Sequence, residues 1–352
     1  MKRLALTGDI ALSGILSEFS DAELRKRIDL REVTGGEAFI INLEAPVAEE
    51  RMKSLKARGV KLRTQPHTLD AFLKANPIAA VTLANNHSLD YGYEGLLGTI
   101  RILDSNYVPH TGAGYLKEHL DPAVFTMNGV VYALLGYVHQ DTNPYTESGL
   151  FINYYDRDNI VTAIDAAHTV AERVIVSVHW GRDYSAYPMQ WQIEDAHAFI
   201  DAGADLVAGH HPHVVQPYEK YRGRYIFYSL GSTVFGDFIL RGRLRALPLK
   251  TKRGYVPLFT DPGIEPSFSG TRELKGNFLT GENADIERWS ARMMRRAHFR
   301  NRFRAADYFL NLKESVYDRL HDVLFGYYRN PARDIFSAGA IRNAMRILRK
   351  KG

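Results

Sequence analysis

Apolar residues along this chain come in short, largely unbroken runs, and most of those runs close on a polar side chain. Met1 to Thr7, Ala38 to Leu43, Ile78 to Leu83, Arg173 to Val178 and Ala204 to Ala208 are runs of this kind. Apolar stretches of that length, without alternation, read as strands buried on both faces. Between them, apolar positions recur at helical spacing over Leu69 to Ala75, Glu94 to Ser105, Asn159 to Glu172 and Met189 to Ala202. The rhythm predicts an α/β sheet core. One hairpin is explicit, because Val124 to Met127 and Val130 to Leu135 flank Asn128-Gly129, a type I′ turn signal. Tyr221-Arg222-Gly223-Arg224-Tyr225 predicts a second such turn.

The polar residues that close the five runs are all able to bind metal. In order they are Asp9, Glu44, Asn85-Asn86-His87, His179, and Gly209-His210-His211-Pro212-His213. Open α/β sheets build their sites at the C-terminal ends of strands. Any one of these residues is ordinary there, and a His-rich turn alone has a solvated loop as its lesser reading. Five in succession point to a shared site. Carboxylates, an amide and imidazoles from separate strands suit two divalent ions held by a bridging carboxylate.

The text around these positions makes the pattern specific. Gly8-Asp9, Asn42-Leu43-Glu44, Leu83-Ala84-Asn85-Asn86-His87-Ser88-Leu89-Asp90-Tyr91-Gly92 and Thr111-Gly112-Ala113-Gly114 come first. Val178-His179-Trp180-Gly181, Asp201-Ala202-Gly203-Ala204-Asp205, Gly209-His210-His211-Pro212-His213 and Tyr228-Ser229-Leu230-Gly231-Ser232 follow. Over roughly residues 3 to 238 the chain resembles the CapA family, named for capsule (poly-γ-glutamate) synthesis proteins, within the calcineurin-like metallophosphoesterase superfamily. The resemblance implies two mixed β-sheets packed face to face and flanked by helices. It implies one metal on Asp9, Glu44 and His213, and a second on Glu44 as bridge, Asn86, His179 and His211. It gives His87 the role of general acid or substrate-orienting group, with Asp90 behind it. Manganese, zinc or iron fits these ligands. Two departures matter. The superfamily's opening Asp-x-His is here Asp9-Ile10-Ala11, and the Glu-Asn of some relatives is Glu44-Ala45. The first metal is therefore expected to be the more weakly held, and His210 is left without an assigned role.

Composition adds exclusions and a boundary. With no cysteine, disulfides, thiolate nucleophiles and Cys-based zinc sites are ruled out. From Arg288 to Gly352 there are 16 basic and 5 acidic residues, a balance of +11, against −6 for the remainder. Residues 1–240 are read as the catalytic domain, 241–287 as a loop-rich insertion or linker, and 288–352 as a basic helical cap or lid. Ile341, Ala344, Met345 and Leu348 would share one face of a last helix. Such a region can be a solvated cap, or can meet an anionic substrate, a membrane surface or a protein partner. Core packing explains its aromatics better than stacking does, so nucleic acid is not the expected partner. Asp9 interrupts any signal-like start and no long apolar stretch exists, so a cytoplasmic location is expected.

Arg182 and Tyr184, just past His179, are candidate walls of a cleft, with Arg182 able to clamp a carboxylate or phosphate. His139 and His210 are further substrate-contact candidates. Three functions remain open. The leading one is metal-dependent hydrolysis of a phosphoester, by analogy with the superfamily. The second is ligation, cleavage or epimerisation at a peptide or poly-γ-glutamate carbonyl or α-carbon. The third is a non-catalytic partner of a capsule synthase, which the retained His87, His179, His211 and His213 argue against.

Overall fold

The computed structural model describes residues 3–302 apart from 20–22, 24, 25, 27, 56–60, 141–148, 241, 242, 246–250, 252, 261–266 and 271–282. The protein is a mixed α/β structure with two principal sheets. In the larger, β1 (Leu4–Ala11), β2 (Ala38–Leu43), β3 (Ile78–Thr82) and β4 (His110–Thr111) run parallel in that order. On the other side of β1 come Ser232–Phe235, parallel to it, and the antiparallel pair Tyr255–Phe259 and Ser267–Gly270. The smaller sheet has a parallel centre of Val130–Val138, Arg173–His179, Leu206–His210 and Arg224–Phe227. Antiparallel strands Ala123–Met127 and Tyr218–Tyr221 close its two edges.

The buried side chains fall into clusters that follow the two-residue period of a strand. Ala5, Phe39, Ile41 and Val81 pack with Leu69, Phe72 and Leu73 of helix Pro66–Ala75 and Leu96, Ile100 and Leu103 of helix Gly92–Ser105. Val174, Val176, Val178 and Val207 pack with Ile160 and Ile164 of helix Arg157–Ala167 and with Ile193, Ala196 and Phe199 of helix Gln190–Asp201. A third cluster takes Leu4, Leu6, Ile40 and Ala80 from the larger sheet together with Phe125, Leu134, Ile175, Leu206 and Phe227 from the smaller. Neighbouring positions such as Ile40 and Ile41, or Leu206 and Val207, thus serve opposite faces.

All four predicted helices and the five strands are present, with ends displaced by a few residues. Both predicted turns have left-handed backbone, at Asn128 and Gly129 and at Arg222 and Gly223, as a type I′ hairpin requires. The stretch 241–287, read from sequence as loop-like, contributes two strands to the larger sheet. Tyr255–Phe259 is apolar enough for this, but it is short and sits among glycines and prolines. Helix Asn283–Arg302 begins earlier than the charge boundary at 288, because that boundary marks arginines rather than a structural break. Its Met294 and Ala297 are buried, while Arg288, Arg292, Arg295 and Arg296 are exposed. The described residues up to His298 form one compact unit. The proposed helical faces at Phe303 to Leu312 and at Ile341 to Leu348 lie outside the described residues. Among the described residues, no helix is long and apolar enough to cross a membrane.

Candidate metal centre

Two glycines let the strands approach closely enough to form the site. A Cβ on Gly8 would stand 2.1 Å from the Gly231 carbonyl oxygen, which instead accepts a hydrogen bond from the Asp9 amide at 2.9 Å. A Cβ on Gly209 would stand 2.0 Å from the Tyr228 carbonyl oxygen and 2.7 Å from Trp180 Nε1. Only glycine fits at either place. Past Gly209 the chain turns sharply, with φ of +96° at His211 and +53° at His213. Each such residue costs on the order of 1–3 kcal/mol, and strain of that kind gathers at functional sites.

Asp9 lies within β1, at a shift of register, rather than past its end as the sequence suggested. Its carboxylate is fully buried. Oδ2 lies 3.0 Å from His213 Nδ1 and 3.3 Å from the His211 amide, and Oδ1 lies 3.2 Å from His210 Nδ1. Glu44, also fully buried, presents Oε1 at 3.4 Å from His213 Nε2 and 4.0 Å from His87 Nε2. Single ligand atoms from Asp9, Glu44 and His213 all fall within 4.8 Å of one another. Of the second predicted set, Asn86, His179 and His211 converge, whereas Glu44, the expected bridge, groups with Asp9 and His213. His179 Nε2 lies 2.9 Å from Asn86 Oδ1 and 3.1 Å from His211 Nδ1. His87 Nδ1 is 2.7 Å from Asp90 Oδ2, which leaves Nε2 directed at Glu44.

Charge is distributed unequally over these donors. Burial would raise the Asp9 carboxyl, but hydrogen bonds from His210 and His213 outweigh it and hold the group well below the usual carboxylate range. Burial would lower His213, but the charges of Glu44 and Asp9 prevail and push it up to about 10. His179 is lowered by burial and by His211 beside it, and His211 is lowered by burial. One pocket is therefore acidic with a cationic imidazole, and the other is lined by neutral imidazoles and an amide. Carboxylate, amide and imidazole donors in these proportions fit hard-to-borderline divalent ions.

The remaining candidates occupy the surroundings. His210 contacts Asp9, an orienting position. Tyr184 donates its amide to the Pro212 carbonyl at 2.8 Å, and its ring lies 6.4 Å from that of His213. Gln216 holds the same loop through the Ser185 and Tyr187 carbonyls. Arg182, half-buried, starts that loop. The His139 ring packs 4.9 Å from Trp191 and 5.3 Å from Tyr155, while its amide donates to the His179 carbonyl. Two contributors escaped the sequence reading. Asp183 Oδ1 lies 3.7 Å from His211 Nε2, and Asp183, His211 and His213 form a second group able to hold an ion. Asn42 connects Asp9 with His179. A lone amide in the apolar run Ala38 to Leu43, two residues before Glu44 and on the same strand face, was the available signal.

A mixed α/β protein with a buried cluster of carboxylate, amide and imidazole donors at its strand ends is a candidate metalloprotein. The chain belongs to the bacterial capsule synthesis protein PGA_cap family, whose model matches residues 3–237, and so to the CapA proteins its motifs resemble. It is 32% identical over 210 residues to the PGA biosynthesis protein CapA of Bacillus subtilis, covering 58% of this chain and 55% of that one. It is 32% identical over 219 residues to the capsule biosynthesis protein CapA of Bacillus anthracis, covering 58% and 52%. A probable polyglutamine synthesis accessory protein of Mycobacterium tuberculosis is 30% identical over 217 residues, covering 58% and 57%. The chain thus spans about half the length of the curated relatives it matches.

Proposed function

We propose that this protein is a metal-dependent enzyme whose centre holds two divalent ions and hydrolyses a phosphoester. The observation that carries the reading is the convergence of Asn86 Oδ1, His179 Nε2 and His211 Nδ1, with His213 and Glu44 meeting at 3.4 Å alongside. Asp9, Glu44 and His213 would hold one ion, and Glu44, Asn86, His179 and His211 the other. Such ions supply Lewis-acid polarisation of a phosphoryl or carbonyl oxygen. The chain's own part is placement and proton transfer. Asp90 accepts from His87 Nδ1, which fixes the ring and leaves Nε2 facing the centre to protonate a leaving group. The third buried cluster, drawn from both sheets, supports a metallophosphoesterase-like sandwich of two sheets packed face to face.

The relatives' names favour a second reading. Two are named for capsule or PGA biosynthesis and one for polyglutamine synthesis, so a glutamyl polymer is the natural alternative substrate. The same polarisation would then act at a peptide or γ-glutamyl carbonyl. The basic region from 288 onward would draw an anionic substrate or partner in either case. Elemental analysis of purified protein, paired with turnover of a panel of phosphoesters and γ-glutamyl peptides, decides between them. Turnover of phosphoesters alone supports hydrolysis of that bond, and turnover of peptides alone supports the second reading. A metal-free, inactive protein would leave an accessory role.

A further inference from the structure

We propose that the outer face of helix Asn283–Arg302, together with the groove beside it, docks an extended acidic peptide that carries one apolar anchor side chain. The inference is independent of the metal reading. The helix is fixed to the edge of the smaller sheet by a polar point and an apolar seam. The Tyr218 amide donates to Ser290 Oγ at 2.7 Å, and that hydroxyl donates to the Tyr218 carbonyl at 2.6 Å. Ser290 thereby closes the edge of strand Tyr218–Tyr221 at this point, so a partner docks on side chains rather than by adding a strand. Met294 joins the cluster of Ile226 and Tyr228, and Ala297 is buried.

With its apolar side committed to the sheet, the helix turns Arg288, Ala291, Arg292, Arg295, Arg296 and His298 outward. No acidic residue lies between Arg288 and His298. Arg292, Arg295 and Arg296 have no ion-pair partner among the described residues. Like charges at i,i+4, as at Arg292 and Arg296, weaken a helix, a penalty that an external counter-charge would offset. Between the helix and the edge strand lies a groove of about 310 Å³, floored by Tyr218, Tyr225 and Met294, with exposed Ala291 on one bank and Lys220 on the other. Lys220 Nζ sits 5.1 Å from the centre of the Tyr225 ring. Glu219 also borders the groove, but its carboxylate is engaged by His197 Nε2 at 2.7 Å and by the Tyr228 hydroxyl.

These features define the occupant. The four helix cations are all arginine, whose planar fork matches a carboxylate. Four residues of helix rise about 6 Å, and alternate residues of an extended peptide stand about 6.6–6.8 Å apart. Acidic side chains on one side of such a peptide therefore fall in step with Arg288, Arg292 and Arg296. Ala291 lies among these arginines, so an apolar side chain of the same peptide can enter the groove, where Met294 offers an adaptable wall. A lipid surface would need the helix's apolar face, which the sheet covers. Nucleic acid would need stacking rings, and no Phe, Tyr or Trp is exposed on the stretch Arg288 to His298.

The test titrates full-length protein with a short fluorescent oligoglutamate bearing a central leucine, followed by anisotropy. Saturable binding is expected at low salt. It should weaken at least about tenfold when Arg292→Glu and Arg295→Glu are combined, since each exposed ion pair contributes up to about 1 kcal/mol. It should fade as salt shortens screening from about 10 Å at 0.1 M to about 3 Å at 1 M. Ala291→Phe should weaken the leucine peptide and leave a matched alanine peptide unchanged. If the double reversal does not fold by circular dichroism, Arg292→Gln with Arg295→Gln replaces it, with a smaller weakening in the same direction. No saturable binding by the wild-type protein, or an affinity unchanged by the arginine substitutions, overturns the proposal. Equal affinity for the leucine and alanine peptides overturns the anchor. Tighter binding of poly-γ-glutamate at equal carboxylate concentration overturns the peptide partner and makes the face a polymer site. Arginine-dependent sedimentation with phosphatidylglycerol vesicles, without peptide binding, makes it a membrane contact instead.

Discussion

His87 is the residue whose loss should separate chemistry from metal binding. Its Nδ1 is committed to Asp90 at 2.7 Å and its Nε2 stands 4.0 Å from Glu44. Replacing it by asparagine keeps a polar side chain in the space but removes the transferable proton. General acid catalysis contributes typically 10²–10⁴-fold, so His87→Asn should lower kcat by on the order of 100-fold or more, roughly 2.7 kcal/mol of barrier. Stability should suffer less than turnover. Asp90 keeps the Leu62 amide at 3.1 Å, so its carboxylate is not left without a partner, and one lost hydrogen bond costs about 1–3 kcal/mol. Asp90→Asn tests the same dyad from behind, because its amide oxygen still accepts from His87 Nδ1. That variant should lose activity more mildly than His87→Asn. The assay pairs steady-state kinetics on the phosphoester found active with metal content of each variant by elemental analysis. A His87→Asn protein that loses an ion would make His87 a ligand and sink the division of roles.

Four further outcomes follow from the geometry. Glu44→Ala should lose both ions or nearly so, whereas Asn86→Ala should weaken only one, as read by metal stoichiometry after desalting. His213 is protonated up to about 10 and must lose that proton to ligate, so uptake at Asp9, Glu44 and His213 should release about one proton at neutral pH and strengthen as pH rises toward 10. The sign is opposite for metal-free stability: the His213 contribution is fully present below about 6.5, its unfolded value, and fades as pH rises through about 10. His179 and His211, lowered by burial, should add no pH dependence above neutrality, and Mn²⁺ calorimetry in buffers of different ionisation enthalpy checks both pockets. Gly209→Ala should disturb the Trp180-to-Tyr228 hydrogen bond and lower Tm together with metal content, since the Cβ meets backbone rather than a flexible tip; an unchanged Tm would refute the close-approach argument. Asp183→Ala should weaken metal uptake several-fold without changing Tm if Asp183 supports the His211 ring, and a null result would leave it a surface carboxylate.

What the sequence conveyed and what it hid have different physical origins. Runs such as Ala38–Leu43 and Leu206–His210 announce themselves because a strand buried on both faces must be apolar throughout. The residues closing those runs were legible for the complementary reason, that an Asp, Glu, Asn or His there has little structural excuse. Tyr255–Phe259 was not legible, because a short strand among glycines and prolines has the composition of a loop, and only pairing with β1 makes it a strand. Asp183 was hidden because its closeness to His211 arises from two loops folding together, which spacing along the chain does not encode. Asn42 was hidden differently. It stands within Asn42-Leu43-Glu44, yet it contacts two other site residues, Asp9 and His179, and such a contact is visible only as distances. The register that sets Asn42 opposite Asp9 also fixes Glu44 just beyond it, with its amide donating to the Ile10 carbonyl at 2.9 Å. One β1–β2 pairing therefore positions a carboxylate, its supporting amide and the shared carboxylate together. A slip of β2 by one residue would turn Asn42 and Glu44 to the face away from Asp9, so the pairing of these two strands is itself a determinant of the site.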